Sequence, residues 1–208
     1  MHTDNFDVLA GLMEARIAEV RDEREKELLF FPVQIIQRKK DIEGLAKNAH
    51  IVKLYQVKDG NDLWQKKEEI GRICELFEAR AMLNLNPKSY KDVAFGMLKK
   101  LSELLSQEAY AAVDRLWGSA INTAGIGSKA LKKYWIIDVD EVSEPEVIIG
   151  WVREQLAKVR PLGEEKVVSI VPSKSGVHII TIPFDVSEVT LGDTMELKKD
   201  CLTNLWIG

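Results

Sequence analysis

Cysteine is scarce in this chain of 208 residues: Cys74 and Cys201 are the only two. They lie far apart and neither belongs to a C-x-x-C pair, which argues against a zinc ribbon and gives no disulfide framework. Long apolar runs are missing as well. None approaches the roughly 18–20 residues needed to cross a bilayer, so no membrane partner is expected. The opening residues, MHTDNFDVLAGL, lack a basic stretch followed by a long apolar one. They do not read as a secretory signal, and the expected compartment is the cytoplasm. A basic excess is also absent. Lys and Arg total 29 against 33 Asp and Glu, a net charge of -4. Tight non-specific DNA binders carry a basic surplus, so nucleic acid would need a local basic groove here. The chain has no repeat, low-complexity segment or obvious linker.

What remains is ordinary globular material, 46% apolar and 30% charged, long enough to bury a core. Residues 5–28 place Phe6, Leu9, Leu12, Met13, Ile17 and Val20 at helical spacing. LLFFPVQII reads as a strand, with Pro32 pointing to an edge or a bulge. HIVKLYQV reads as a second strand, closed by the turn KDGND. A helix is expected over 63–79, with Leu63, Ile70, Ile73 and Leu76 inward. RAMLNLN alternates, with Ala81, Leu83 and Leu85 on one side and Met82, Asn84 and Asn86 on the other. Pro87 and Ser89 then open a helix, and another covers about 107–120. A strand over 134–140, a helix over 144–159 and the strands KVVSIVPS and VHIITIPF follow. After an irregular or helical stretch, CLTNLWIG closes the chain as a strand. The pattern predicts an α/β or α+β unit, helix-rich over 1–130, ending in an open β-α-β-β-x-β sheet with helices on one face.

One motif lacks its context. GIGSKA (125–130) satisfies G-x-G-x-x-A, but dinucleotide binding needs that pattern after a strand, and here it precedes one. A plain loop is expected.

The chemistry concentrates in YWIIDVDEV (134–142). In a strand, residues i and i+2 face one side, so Asp138 and Asp140 point together while Ile137 and Val139 point the other way. Two such carboxylates can converge on divalent cations of the kind that support phosphoryl transfer, and Mg²⁺ or Mn²⁺ suits their hard oxygens. The competing reading is a pair of solvated aspartates where a strand leaves the core. Two facing carboxylates without a cation repel, so Asp138→Asn is expected to cost little stability. Further on, SKSGVHIITIPF (173–184) sets Ser173, Lys174, Ser175 and Gly176 in a tight polar turn between strands. Its N–H groups, hydroxyls and ammonium suit phosphate oxygens, and His178 on the next strand is a donor. An ordinary hairpin with a core histidine is the alternative.

IIDVDEV also resembles the D-x-D-x-[TV] signature of haloacid-dehalogenase-type phosphohydrolases, whose first Asp is a nucleophile. That motif normally opens a long doubly wound domain, and only 68 residues follow Asp140.

The combination WIIDVD, with Asp138 and Asp140, and SKSGVH, ending at His178, resembles the catalytic core of the archaeo-eukaryotic primase superfamily. Its first motif is hhhDhD and its second a small-residue turn ending in His. Its third is an apolar residue followed by Asp. Asp200 in LKKDCLTNLWI is the candidate, preceded by Lys199 rather than an apolar residue, with Asp193 as a substitute. The resemblance is specific over about 134–208. In the N-terminal half, RAMLNLN is similar to an Arg-led strand near the nucleotide, which makes Arg80 a phosphate or template contact or else a salt-bridging strand residue.

The resemblance implies one primase-polymerase-like domain over 1–208. Its class would be α+β, with an RRM-like antiparallel or mixed sheet over 131–208 after a helix-rich α/β subregion over 1–130. It implies a metal-dependent nucleotidyltransferase that adds nucleotides from nucleoside triphosphates to a primer or first nucleotide. Asp138, Asp140 and Asp200 would hold two Mg²⁺ or Mn²⁺ ions. Ser173, Lys174, Ser175, Gly176, His178 and Arg80 would hold the triphosphate. The implied partners are a nucleic-acid template and primer and a helicase or other replication protein. Template contacts would fall to QRKK (37–40), Lys129, Lys132 and Lys133. A degenerate relative that binds without turnover is the alternative, and a phosphohydrolase the third.

Overall fold

The computed structural model describes residues 3–39, 41, 49–140 and 144–208. In chain order its elements are β1 (Thr3–Asp4), α1 (Phe6–Glu19), α2 (Glu23–Glu27), β2 (Leu29–Arg38), β3 (Ala49–Val57), α3 (Gly60–Gln65), α4 (Lys67–Leu76), β4 (Arg80–Asn84) and β5 (Lys88–Ser89). There follow α5 (Tyr90–Ser106), α6 (Leu116–Thr123), β6 (Trp135–Asp140), α7 (Pro145–Ala157), β7 (Val167–Pro172), β8 (Gly176–Thr181), β9 (Met195–Lys198) and β10 (Leu202–Ile207). The class is α+β, with two antiparallel sheets. One runs β1-β10-β4-β2-β3, with the short β5 also on β2; the other runs β7-β8-β6-β9.

Alternation along each strand sets what the sheets bury. In β6, Ile137 and Val139 pack with Val177 and Ile179 of β8 against Ile149, Val152 and Leu156 of α7. Ile180 of β8 and Val171 of β7 instead join the core built by Phe6, Leu9 and Met13 of α1, Val33 and Ile35 of β2 and Leu83 of β4. The two sheets therefore share one core along a seam. The seam face of β6 and β8 carries Asp138 and His178, which are direct cross-strand partners.

Several expectations change. Pro32 is not on an edge, because β2 lies between β3 and β4. Its missing N–H is tolerated because it sits between the β5 pairing at Leu29–Phe30 and the β4 pairing that starts at Val33. A bulge does occur in β2, at Ile35/Ile36. KDGND is not a free turn. Asp59 caps α3, accepting from the Asp62 N–H. The helix over 63–79 divides into α3 and α4, and Cys74 takes the inward place expected of Leu76, which is 77% exposed. The helix expected over 107–120 is a 3-10 turn at Tyr110–Arg115 followed by α6.

The largest change is at the chain's end. The irregular stretch contains β9, which closes the second sheet beside β6. CLTNLWIG supplies β10, which crosses back into the first sheet between β1 and β4. The subregion expected over 131–208 is thus interrupted, and its last strand is shared with the N-terminal half. GIGSKA is a loop, as expected. A Cβ on Gly127 would lie 2.5 Å from the Ser89 backbone nitrogen, so the loop straps the start of α5.

Candidate functional site at the seam of the two sheets

Asp138 and Asp140 share a face of β6 but meet different surroundings. Asp138 is half-buried. Its Oδ1 lies 3.1 Å from His178 Nε2, and its Oδ2 accepts from Lys198 of β9. A carboxylate only accepts, so His178 carries its proton on Nε2 toward Asp138. His178 Nδ1 then lies 2.9 Å from the Thr203 hydroxyl of β10. His178 joins the second sheet to the first through that contact. Burial raises the Asp138 pKa, but hydrogen bonds from His178 and Lys198 outweigh it and hold the carboxyl well below the usual carboxylate range. On Lys198, burial lowers the pKa, and the Asp138 carboxylate more than reverses that.

Asp140 sits at the exposed end of the strand, where its Oδ1 accepts from Ser175 Oγ at 3.2 Å. The Ser173–Gly176 turn is tight, closed by Ser173 N–H to the Gly176 carbonyl at 2.9 Å. Gly176 is required by close approach. A Cβ there would lie 1.9 Å from the Val139 carbonyl oxygen. The sequence needs glycine here so that β8 can pair closely with the strand bearing both aspartates.

Lys174 and Arg80 also converge, around an acid not expected to be there. Asp41, just past β2, accepts on one oxygen from Arg80 and from Lys174 Nζ at 2.8 Å. Burial raises the Asp41 pKa, while hydrogen bonds from Lys174 and Arg80 pull it below the ordinary value. Arg80 therefore salt-bridges at the seam. A cavity of about 350 Å³ opens beside the trio.

Asp200 forms a third cluster, in the bend between β9 and β10. It accepts from Asn84 at 3.0 Å, Asn86 at 3.4 Å and Lys88 at 3.0 Å. Burial again raises its pKa, and the Asn84 bond and the Lys88 charge pull it below normal. Lys88 is fully buried, and a cavity of about 240 Å³ lies over this cluster. Burial pushes up the neighbouring Cys201 thiol.

The structure brings together Asp138 with His178, Asp140 with Ser175, and Lys174 with Arg80, all on β6, β8 or the turn between β7 and β8, save Arg80. Asp200 stands in its own cluster. Among the described residues no three His, Cys, Asp or Glu side chains are gathered as a metal-ligand set. Asp193, the substitute for Asp200, lies in an exposed turn before β9. Lys129, Lys132 and Lys133 are exposed, although Lys132 reaches Glu164. Of QRKK, Lys40 lies outside the described residues. A larger cavity, about 730 Å³, lies between α4, Trp64 and Trp206 and contains none of these groups.

Sequence reasoning missed Lys198, Thr203, Asp41 and Lys88. Asn84 and Asn86 did leave a signal, because they occupy the polar side of an alternating strand while being buried. A buried amide opposite an apolar face must have a partner. The other four are joined to the site only by sheet pairing and chain crossing.

Compared with known proteins, the chain matches no family model, no curated protein and no solved structure.

Proposed function

We propose that the seam binds a nucleoside triphosphate and carries out metal-dependent nucleotidyl transfer to a primer or first nucleotide. One observation carries this reading. Strand pairing sets the paired carboxylates of β6 against His178 and the Ser-Lys-Ser-Gly turn of β8, at the junction of two sheets. The order β6-α7-β7-β8-β9, with a 3-10 turn at Val186–Glu188 before β9, supports an RRM-like second sheet of the split β-α-β kind.

The donor set fits Mg²⁺ or Mn²⁺. Asp138 and Asp140 offer hard oxygens from one strand face, and Asp138 is held ionised. Asp138 and Asp140 would hold a metal ion, and Asp200 would join them only on leaving its cluster with Asn84, Asn86 and Lys88. Bound there, the metal would stabilise the attacking and leaving oxygens of phosphoryl transfer. Lys198 would turn from Asp138 to make room, and Lys88 from Asp200. The chain's own part is positioning. Ser173, Lys174, Ser175 and Gly176 hold phosphate oxygens. His178, fixed by Thr203, orients Asp138 from Nε2, and Arg80 adds charge. Exposed Lys129, Lys132 and Lys133 offer template phosphate contacts.

A second reading is favoured by one specific feature. Lys198 and Lys88 already neutralise two of the three carboxylates named for the metal, Asp138 and Asp200. A relative that binds nucleotide or nucleic acid without turnover would keep such internal cations. The phosphohydrolase reading gains no support, because β6 has antiparallel neighbours on both sides.

Calorimetric titration of Mn²⁺ with and without a nucleoside triphosphate tests the proposal, in wild type and in Asp138→Asn/Asp140→Asn. Metal-dependent triphosphate binding lost in the double variant, together with incorporation on a primed template, is expected. Binding without incorporation selects the second reading, and no binding in either protein removes both.

A further inference from the structure

Asp41 belongs to neither sheet's ladder, yet it joins them. Arg80 comes from β4 of the first sheet and Lys174 from the turn before β8 of the second. Both cations address the same oxygen, Oδ1. Oδ2 is buried with no hydrogen-bond partner among the described residues. A bidentate pair with the guanidinium would satisfy both oxygens. Here one oxygen is lodged between two cations and the other is left unpaired, at a cost. The arrangement matches what a phosphate oxygen would meet between Arg80 and Lys174. Arg80 is buried and Lys174 half-exposed, so the seat is open on the Lys174 side. The adjoining cavity of about 350 Å³ has Glu75 and Glu78 among its walls, which confines an anion to the side of the two cations. Lys174 is next to Ser175, whose hydroxyl touches Asp140. The seat and the β6 carboxylates therefore lie at opposite sides of one short turn.

We infer that Arg80 and Lys174 form a seat for one phosphate group of a polyphosphate ligand, and that Asp41 occupies the seat as an internal competitor which the ligand displaces. This rests on the triphosphate reading of the turn given above. Emptied of Asp41, the seat presents two positive charges to the ligand, beside a cavity that Glu75 and Glu78 also line. A polyphosphate oxygen makes the same two charge-assisted bonds and leaves further oxygens for the Ser173–Gly176 turn. If Asp41 holds the seat for about nine-tenths of the time, the apparent affinity is lowered roughly tenfold.

The test uses the intact protein and inorganic tripolyphosphate without divalent cation, by calorimetry. Wild type is expected to bind weakly and Asp41→Asn about tenfold more tightly, the factor set by release of the seat. A carboxylate that only braces the fold predicts the reverse. Equal or weaker binding by a folded Asp41→Asn overturns the inference. Should that variant not fold, Lys174→Met decides, because its side chain is half-exposed. Tripolyphosphate binding lowered tenfold or more supports the seat, and unchanged binding overturns it. The probe has no base and the assay no metal. Failure of nucleotidyl transfer would leave this result standing, and failure here would leave metal-dependent transfer standing.

Discussion

Asp138 and Asp41 each sit between two hydrogen-bond donors at the seam, and they teach different things. Asp138 is met by His178 and Lys198, which are side chains of the strands flanking its own strand. Its pairing is written into the register of one sheet, and His178 passes the constraint on to Thr203 of the other. Asp41 is met by Arg80 and Lys174, one from each sheet, while it lies outside both ladders. Both of Asp138's oxygens are used; one of Asp41's has no partner among the described residues. The first carboxylate is built into the register of one sheet, whereas the second is held by charge-assisted bonds from one side chain of each sheet.

The largest effect that would sharpen this contrast is catalytic. Asp138→Asn is expected to lower nucleotide incorporation on the order of a hundredfold or more, since it removes a ligand of the metal ion that would stabilise the transferred group. Asp41→Asn is expected instead to lower KM. Steady-state incorporation assays separate the two, and a similar loss of turnover in both variants would break the comparison.

Next comes stability. The sequence reading expected Asp138→Asn to cost little, because two like charges faced each other. The structure reverses that, since Asp138 faces the Lys198 ammonium and the His178 N–H, and Asp140 turns to Ser175. Removing the charge weakens the bonds from His178 and from Lys198, which keeps only Glu196 at 3.2 Å as a charged partner, and about 1–3 kcal/mol of destabilisation is expected. Urea melts at pH 7 check this. No loss would return Asp138 to the role of a solvated residue.

The smallest effect is in acid. The folded pKa values of Asp138, Asp41 and Asp200 all lie below their ordinary values. Each contributes stability that is fully present above the unfolded pKa of about 3.9 and is lost as pH falls through the lower folded value. Wild-type stability should therefore decline below about pH 5. The decline should be shallower in Asp138→Asn by on the order of 1 kcal/mol, and less altered in Asp41→Asn, whose carboxylate is the less depressed. Urea midpoints from pH 6 to pH 3 give the slopes, and parallel curves for all three proteins would contradict the ordering.

Much of this was legible in the sequence because it depends on local period. Alternation in WIIDVD and VHIITIP assigns Ile137, Val139, Val177 and Ile179 to one face, and Asp138 and His178 to the other. Ser89 capping α5 and the turn at Ser173–Gly176 follow from short-range chemistry. Glycine at 176 is dictated by the approach of β8 to the Val139 carbonyl. Other features were not legible, since no local period reports which strands become neighbours. That β9 pairs with β6, and so delivers Lys198 to Asp138, depends on the sheet closing. That β10 returns to β4, and so brings Asp200 to Asn84 and Lys88, depends on the chain crossing from one sheet to the other. The sequence by itself determined which side chains share a face. The tertiary structure alone decided which charges meet, because a carboxylate takes its partners from elements distant in the chain and a shared core brings those elements together.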